Sequence, residues 1–235
     1  MVVIEEESGE RDITYLKSRV TFRYDYKDQE GDVITNRFRV KTVIGFGPHQ
    51  RYGVSLNVPV LHRDKPEDSA TGLGDVELQA GAVIQSWRKF RYGAALQVTF
   101  QTATDDLLGG GSTSLKPAFG FTATPSRRFE FNCAFNYKRS IHTTRGDPVN
   151  EFEPDCTANT RILKSTAFAE SDSFYEFGPG QWAPTLKLGL SRRFGEGRQW
   201  VVSPYFSFPL NEFARQSQYR YNVGLDLGWN FHPVR

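Results

Sequence analysis

The sequence predicts an all-β fold: a transmembrane, antiparallel, up-and-down β-barrel of about 10–12 strands. Three observations carry the prediction. Large apolar residues recur at every second position in window after window, the period of a strand, whose successive side chains point to opposite faces. In the fullest windows the apolar face has aromatics at both ends and aliphatics between, as in a strand that crosses a bilayer between two interfacial girdles. The joins between windows tend to alternate between short and long, as on the two rims of a membrane barrel.

Taken in order, the first strand reads Val20, Phe22, Tyr24, Tyr26 against Arg19, Thr21, Arg23, Asp25. The second reads Phe38, Val40, Thr42, Ile44, Phe46 against Arg37, Arg39, Lys41, Val43, Gly45, and a shorter third runs Val54, Leu56, Val58, Val60. The fourth sets Val76, Leu78, Ala80, Ala82, Ile84 against Asp75, Glu77, Gln79, Gly81 and Gln85. The fifth sets Tyr92, Ala94, Leu96, Val98, Phe100 against Arg91, Gly93, Gln97, Thr99 and Gln101. The sixth has Leu115, Phe119 and Phe121 outward; the seventh has Phe129, Phe131, Cys133, Phe135 and Tyr137 against Glu130, Asn132, Asn136 and Lys138. The eighth follows Trp182, Leu186, Leu188, Leu190, and the ninth Trp200, Val202, Phe206, Phe208. The tenth is the most regular: Tyr219, Tyr221, Val223, Leu225, Leu227, Trp229 and Phe231 alternate with Arg220, Asn222, Gly224, Asp226, Gly228 and Asn230.

Short joins at residues 48–52, 86–89, 124–128 and 194–199 fall on one rim. The others are mostly longer: 62–71, 103–112, 140–181 and 210–217, with 27–32 the exception. An even strand count then leaves both termini on the short-turn, periplasmic side. Residues 140–181 are too long for a plain loop. They form either a long extracellular loop or an extra hairpin, with 160–168 and 174–177 as candidate strands divided at 170–173, so twelve strands stand beside ten. Pro59, Pro117, Pro184 and Pro204 lie inside assigned strands, where the missing N–H predicts bulges or local gaps. The expected organisation is an N-terminal periplasmic segment over residues 1–12, a barrel over 13–231, and a tail over 232–235.

Composition agrees with a single barrel domain. Aromatics make up 14% of 235 residues, and Met occurs once. Mean hydropathy is low, which a barrel tolerates because only alternate strand residues meet lipid. No apolar run reaches the length of a transmembrane helix, and a net charge of +2 gives no reason to expect nucleic acid. Met1 is followed by Val2, Val3, Ile4 and then Glu5, Glu6, Glu7, without the basic and apolar regions of an export signal. A membrane barrel must be exported, so the sequence reads as mature, trimmed or mis-started, with a cytosolic protein as the competing explanation.

The stretch Thr71, Gly72, Leu73, Gly74, Asp75 running into Val76 and Glu77 resembles the signature of the family named for the meta-pathway of phenol degradation. The resemblance implies a Gram-negative outer-membrane barrel of a transporter-like family, found beside aromatic catabolism. It also implies that the Gly-Leu-Gly-Asp segment follows an extracellular loop and opens a strand. The last strand is similar to the C-terminal targeting strand of outer-membrane barrels, except that His232, Pro233, Val234 and Arg235 follow Phe231. Read from the residues alone, Gly72 and Gly74 permit a sharp bend, and Asp75 points inward, where a basic neighbour could pair with it.

Function is expected on the inward face. Arg19, Arg23, Arg37, Arg39 and Lys41 lie on adjacent strands; Asp75, Glu77 and Glu130 stand further round, and Arg220 and Asp226 close onto the first strand. One reading is a satisfied ion-pair network filling a narrow lumen. The other is a polar constriction whose basic wall favours anions. Ser140 and His142 share a face, but nothing nearby supplies the orienting partner of a nucleophile–base pair, so no enzyme activity is expected. His49, His62 and His232 are scattered without metal-ligand spacing, and no cofactor is expected. The Gly109-Gly-Gly-Ser112 run lacks the Lys-Ser/Thr of a phosphate loop. Cys133 on a strand and Cys156 in the long segment read as two free thiols.

The function these residues predict is a monomeric outer-membrane channel, porin-like, passing small organic solutes, with aromatic or anionic ones as the candidates. Its partners are membrane lipid and the barrel assembly machinery. A non-conducting structural barrel and a soluble lipocalin-like barrel are the alternatives. Against the last, the polar face carries Gly, Asn, Gln, Thr and Ser beside Arg, which suits a crowded lumen better than an aqueous surface.

Overall fold

In a computed structural model, which describes residues 15–29, 31–46, 51–146, 148–195 and 199–231, the alternating windows become long antiparallel strands. They are β1 (Tyr15–Gln29), β2 (Gly31–Phe46), β3 (Tyr52–Lys65), β4 (Asp68–Leu73), β5 (Val76–Trp87), β6 (Phe90–Phe100) and β7 (Ser112–Ser126). They continue as β8 (Phe129–Thr143), β9 (Asn150–Ile162), β10 (Ser165–Glu176), β11 (Gln181–Phe194), β12 (Trp200–Pro209) and β13 (Tyr221–Phe231). Apart from β4 and β5, which do not pair with each other, each strand pairs with its sequence neighbours, β1 pairs with β13, and the ring is complete. Closure leaves no unpaired edge, which is what a sheet needs in hydrocarbon. β4 and β5 both pair with β3, β4 along residues 60–65 and β5 along 52–57. They form one interrupted strand, and the wall has twelve.

The extra hairpin exists, but not where the sequence placed it. β9 and β10 turn at Leu163 and Lys164, inside the candidate strand 160–168, and residues 170–173 are mid-strand. Two features hid it. Leu163 sits at φ 55°, a left-handed conformation that a Gly or Asn would have advertised. The outward face of β10 is also small: Ser165, Ala167, Ala169, Ser171 and Ser173 precede Tyr175, so the large-apolar alternation is absent.

The hairpin also corrects the cysteines. Cys133 on β8 lies directly opposite Cys156 on β9, with Cα atoms 4.1 Å apart, and the two form a disulfide. Cys156 belongs to a strand and not to a loop, and neither thiol is free.

The prolines interrupt ladders as their missing donor requires. At Pro59, β3 changes partner from β5 to β4. Pairing of β7 with β8 skips from Leu115 to Ala118 around Pro117, and pairing of β11 with β12 skips from Gly189 to Arg192 opposite Pro204. Pro184 stands at the upper end of the β11–β12 ladder, where its carbonyl accepts from Leu210 N.

The outer face is apolar. Phe22, Phe38, Val40, Leu56, Leu96, Leu188 and Val223 are among its exposed residues. A lower aromatic cluster runs Trp87, Phe90, Tyr92, Phe121, Phe131, and Trp200 stacks on Trp229 with ring centroids 5.3 Å apart. An upper cluster joins Tyr26, Tyr221, Phe206 and Phe208, with Tyr137, Phe177 and Tyr175 further round. These are the two girdles of an outer-membrane barrel. The turns at 88–89, 127–128 and 163–164, with the start of β1 and the end of β13, share one rim. The loop at 101–111 and the helix α1 (Glu212–Ser217) cap the other. Residues 1–12, 232–235, His49 and His232 lie outside the described residues.

Candidate solute path through the lumen

Residues paired across an antiparallel ladder share a face, so the register sorts inner from outer side chains. On β1 and β2 the inner positions hold Arg19, Arg23, Asp25, Lys27, Arg37, Arg39 and Lys41, and β3 adds Arg63. The expected basic wall is therefore present on adjacent strands. Arg23 makes a two-point ion pair with Asp226 at 2.6 and 2.8 Å, and its guanidinium lies over the Tyr205 ring. Asp25 is buried and accepts from Tyr205 Oη and Asn222 Nδ2. Arg37 Nε and Arg39 Nε are buried without a hydrogen-bond partner among the described residues.

The remaining predicted positions divide. Glu77 accepts from Asn57 Nδ2 at 2.7 Å. Glu130 accepts from Asn132 and Asn159 near the lower rim. Arg220 is not a lumen residue: it is exposed in the bend before β13, where its amide donates to Asp28 O. The same bend turns Tyr219 inward, opposite to the alternation of the strand that follows. Tyr219 is buried against Ser207, beneath the Lys27 ammonium.

Asp75 takes a role that no basic neighbour supplies. Its carboxylate accepts from the amides of Thr102 and Ala103 at 3.2 Å and of Gly110 at 2.7 Å. It fastens the 101–111 loop against the break between β4 and β5. Leu108 is buried there, over Gly72 and Gly74, where an added Cβ would meet Leu108, Thr104, Leu61 or Pro59. The Gly-Leu-Gly-Asp segment is thus a loop clasp, with glycines where the loop lies closest. Ser140 Oγ accepts from Val149 N in the neighbouring loop, and His142 is exposed.

An acidic wall, unsignalled in the sequence, stands on the other side. β9 and β10 carry Glu151, Glu153, Asp155, Glu170, Asp172 and Glu176 on their inner face. Lysines of β7, β8 and β11 hold much of it: Lys116 pairs with Glu153, Lys138 with Glu151 and Glu153 at 3.6 and 3.8 Å, and Lys187 with Glu170 at 3.2 Å. Asp155 accepts from Asn136 through Oδ2, while its buried Oδ1 has no partner among the described residues. Between the charged walls, the Phe168 ring fills the space over Gly189 and the Tyr205 ring that over Gly224, where any Cβ would collide with it. On β5–β8 the inner side chains shrink to Gly81, Gly93, Ala95, Ala118, Gly120 and Ala134, which line a recess. The lumen therefore has three kinds of wall: basic, acidic and small.

An apolar exterior, a closed ladder and a polar interior define the class: an outer-membrane β-barrel. Residues 20–178 match the family described as "Putative MetA-pathway of phenol degradation", and the chain belongs to that family. Among solved structures, the COG4313 outer membrane channel from Pseudomonas putida F1 is similar, with 9% identity over 98% of this chain and 100% of that one, at TM-score 0.69. The NanC porin aligns at 9% identity over 92% of this chain and 100% of its own, at TM-score 0.64. The KdgM porin aligns at 12% identity over 91% and 100%, at TM-score 0.61. No protein of curated function matches the sequence.

Proposed function

We propose that the protein is a passive outer-membrane channel for small organic solutes, with a mild preference for anionic or polar-aromatic ones. One observation supports this reading above the rest. The inner wall does not close on itself with large side chains, because β5–β8 present Gly and Ala to the lumen. That stretch leaves open space next to the charged belt, on the side of the lower rim. The anion preference rests on unequal pairing: lysines engage the acidic wall, whereas Arg37 and Arg39 each keep an Nε without a partner among the described residues. Positive charge beside a water-filled gap raises the local anion concentration. The inner residues Arg19, Arg23, Arg37, Arg39, Lys41, Glu77 and Asp226 are the proposed solute-facing set, and Asp75 supports them by holding the loop. The channel works as a monomer, delivered by the barrel assembly machinery. Planar-bilayer recording in a salt gradient tests the reading. Steady conductance with a reversal potential on the anion side is expected; a cation-side potential overturns the charge argument, and no conductance favours a structural barrel.

A further inference from the structure

The basic and acidic walls are not merely different; they face each other. In a ring of twelve strands, β2 and β9 are six strands apart in both directions, and so are β3 and β10. Carrying the register round the wall at ordinary strand spacing and barrel tilt puts Arg23, Arg37 and Arg39 at the height of Glu153, Asp155, Glu170 and Asp172, within about 7 Å. The lysine pairs described above offset part of the acidic wall, but Asp155 and Asp172 form no ion pair among the described residues, so a separation of charge across the lumen persists. Unmet hydrogen-bonding capacity also lies on both sides of this belt. Two donors, Arg37 Nε and Arg39 Nε, stand on one wall, and an acceptor, Asp155 Oδ1, stands on the other.

A field directed across the path treats simple ions and dipolar molecules differently. A lone anion gains at the arginines and is repelled by the carboxylates; a lone cation meets the reverse. A molecule with a carboxylate at one end and an ammonium at the other can satisfy both walls at once, provided it lies across the lumen. We infer that the belt selects small zwitterionic solutes, of the ω-amino acid type, over anions and cations of the same size. This inference rests on the channel reading and names the solute class that its constriction favours. The small wall on β5–β8 adjoins the belt toward the lower rim and takes the apolar body of the solute as it leaves.

The test is flux into proteoliposomes holding the full chain, with 4-aminobutyrate, butyrate and n-butylammonium as probes. Entry of 4-aminobutyrate should exceed that of either ion by roughly tenfold. Asp155→Asn with Asp172→Asn should remove most of that advantage while raising butyrate entry. Arg37→Gln with Arg39→Gln should remove it while lowering butyrate entry. Heat-dependent gel mobility confirms that each variant forms a barrel; Asp172→Asn alone should give part of the effect if the double variant does not fold. Equal entry of 4-aminobutyrate and butyrate, or an advantage unchanged by the acidic-wall variants, overturns the inference and leaves the channel standing. Entry of none of the three probes overturns both.

Discussion

The wall of β1–β3 and the wall of β9–β10 line one lumen but hold their charge in different ways. On the first, a bidentate arginine–aspartate pair, a buried aspartate under Tyr205 and two partly unsatisfied guanidiniums sit on strands with large apolar backs. On the second, carboxylates are met by lysines from β7, β8 and β11, and the back of β10 is small or hydroxylated. Arginine suits the first setting because its planar fork can satisfy two acceptors and keep a further N–H free. Lysine suits the second because a point charge on a flexible stem can reach between carboxylates. The difference teaches that wall charge and wall pairing are separate quantities: the acidic wall has many charges and few free ones, while the basic wall leaves more unspent.

The comparison requires that both walls be inner walls. An arginine in place of Leu225, mid-strand on the outer face of β13, should destabilise the barrel in lipid by about 2–4 kcal/mol. If Leu225→Arg unfolds at the same denaturant concentration as the parent, inside and outside are exchanged. The disulfide between β8 and β9 anchors the strand that begins the acidic wall. Cys133→Ser with Cys156→Ser should cost about 2–4 kcal/mol by constraint on the unfolded chain. No change in stability would mean that β9 is held without it.

The two styles of pairing can be measured against each other. A double-mutant cycle on Arg23 and Asp226 should give a coupling of about 1.5–3 kcal/mol, since the pair is bidentate and mostly shielded. The cycle on Lys187 and Glu170, a single contact at 3.2 Å, should give about 1 kcal/mol or less. Equal couplings would erase the distinction. The smallest effect is expected at the turn that precedes β10. Leu163→Gly should stabilise by about 0.5–1 kcal/mol by relieving the left-handed strain at φ 55°, and a loss of stability would show that the strain is compensated locally.

The basic wall was legible in the sequence and the acidic wall was not, for a physical reason. Period two is visible only when one face is large and apolar. Phe22, Tyr24, Phe38 and Val40 announce their strands, so Arg23, Arg37 and Arg39 fall inward by alternation. On β10 the outer face is Ala and Ser while the inner face carries Phe168 and Phe174, which inverts the signal, and the turn has no glycine to mark it. With the strands of that hairpin out of position in the sequence reading, the carboxylates of the opposite wall and the disulfide stay hidden together. Arg220 was misplaced because a bend breaks the alternation one residue before β13, and sequence spacing cannot register a bend. Asp75 was placed by its glycines but not partnered, because its partners are backbone amides, which every residue carries.

Two opposed, separately removable sets of charge line one path, and the reversal potential of a single channel in a KCl gradient reads both. Neutralising Arg37 and Arg39 with glutamine should move the potential toward cation selectivity. Neutralising Asp155 and Asp172 with asparagine should move it toward anion selectivity, with the parent between the two. Shifts of the same sign, or no shift from either pair in a conducting barrel, would contradict opposed walls lining a common lumen.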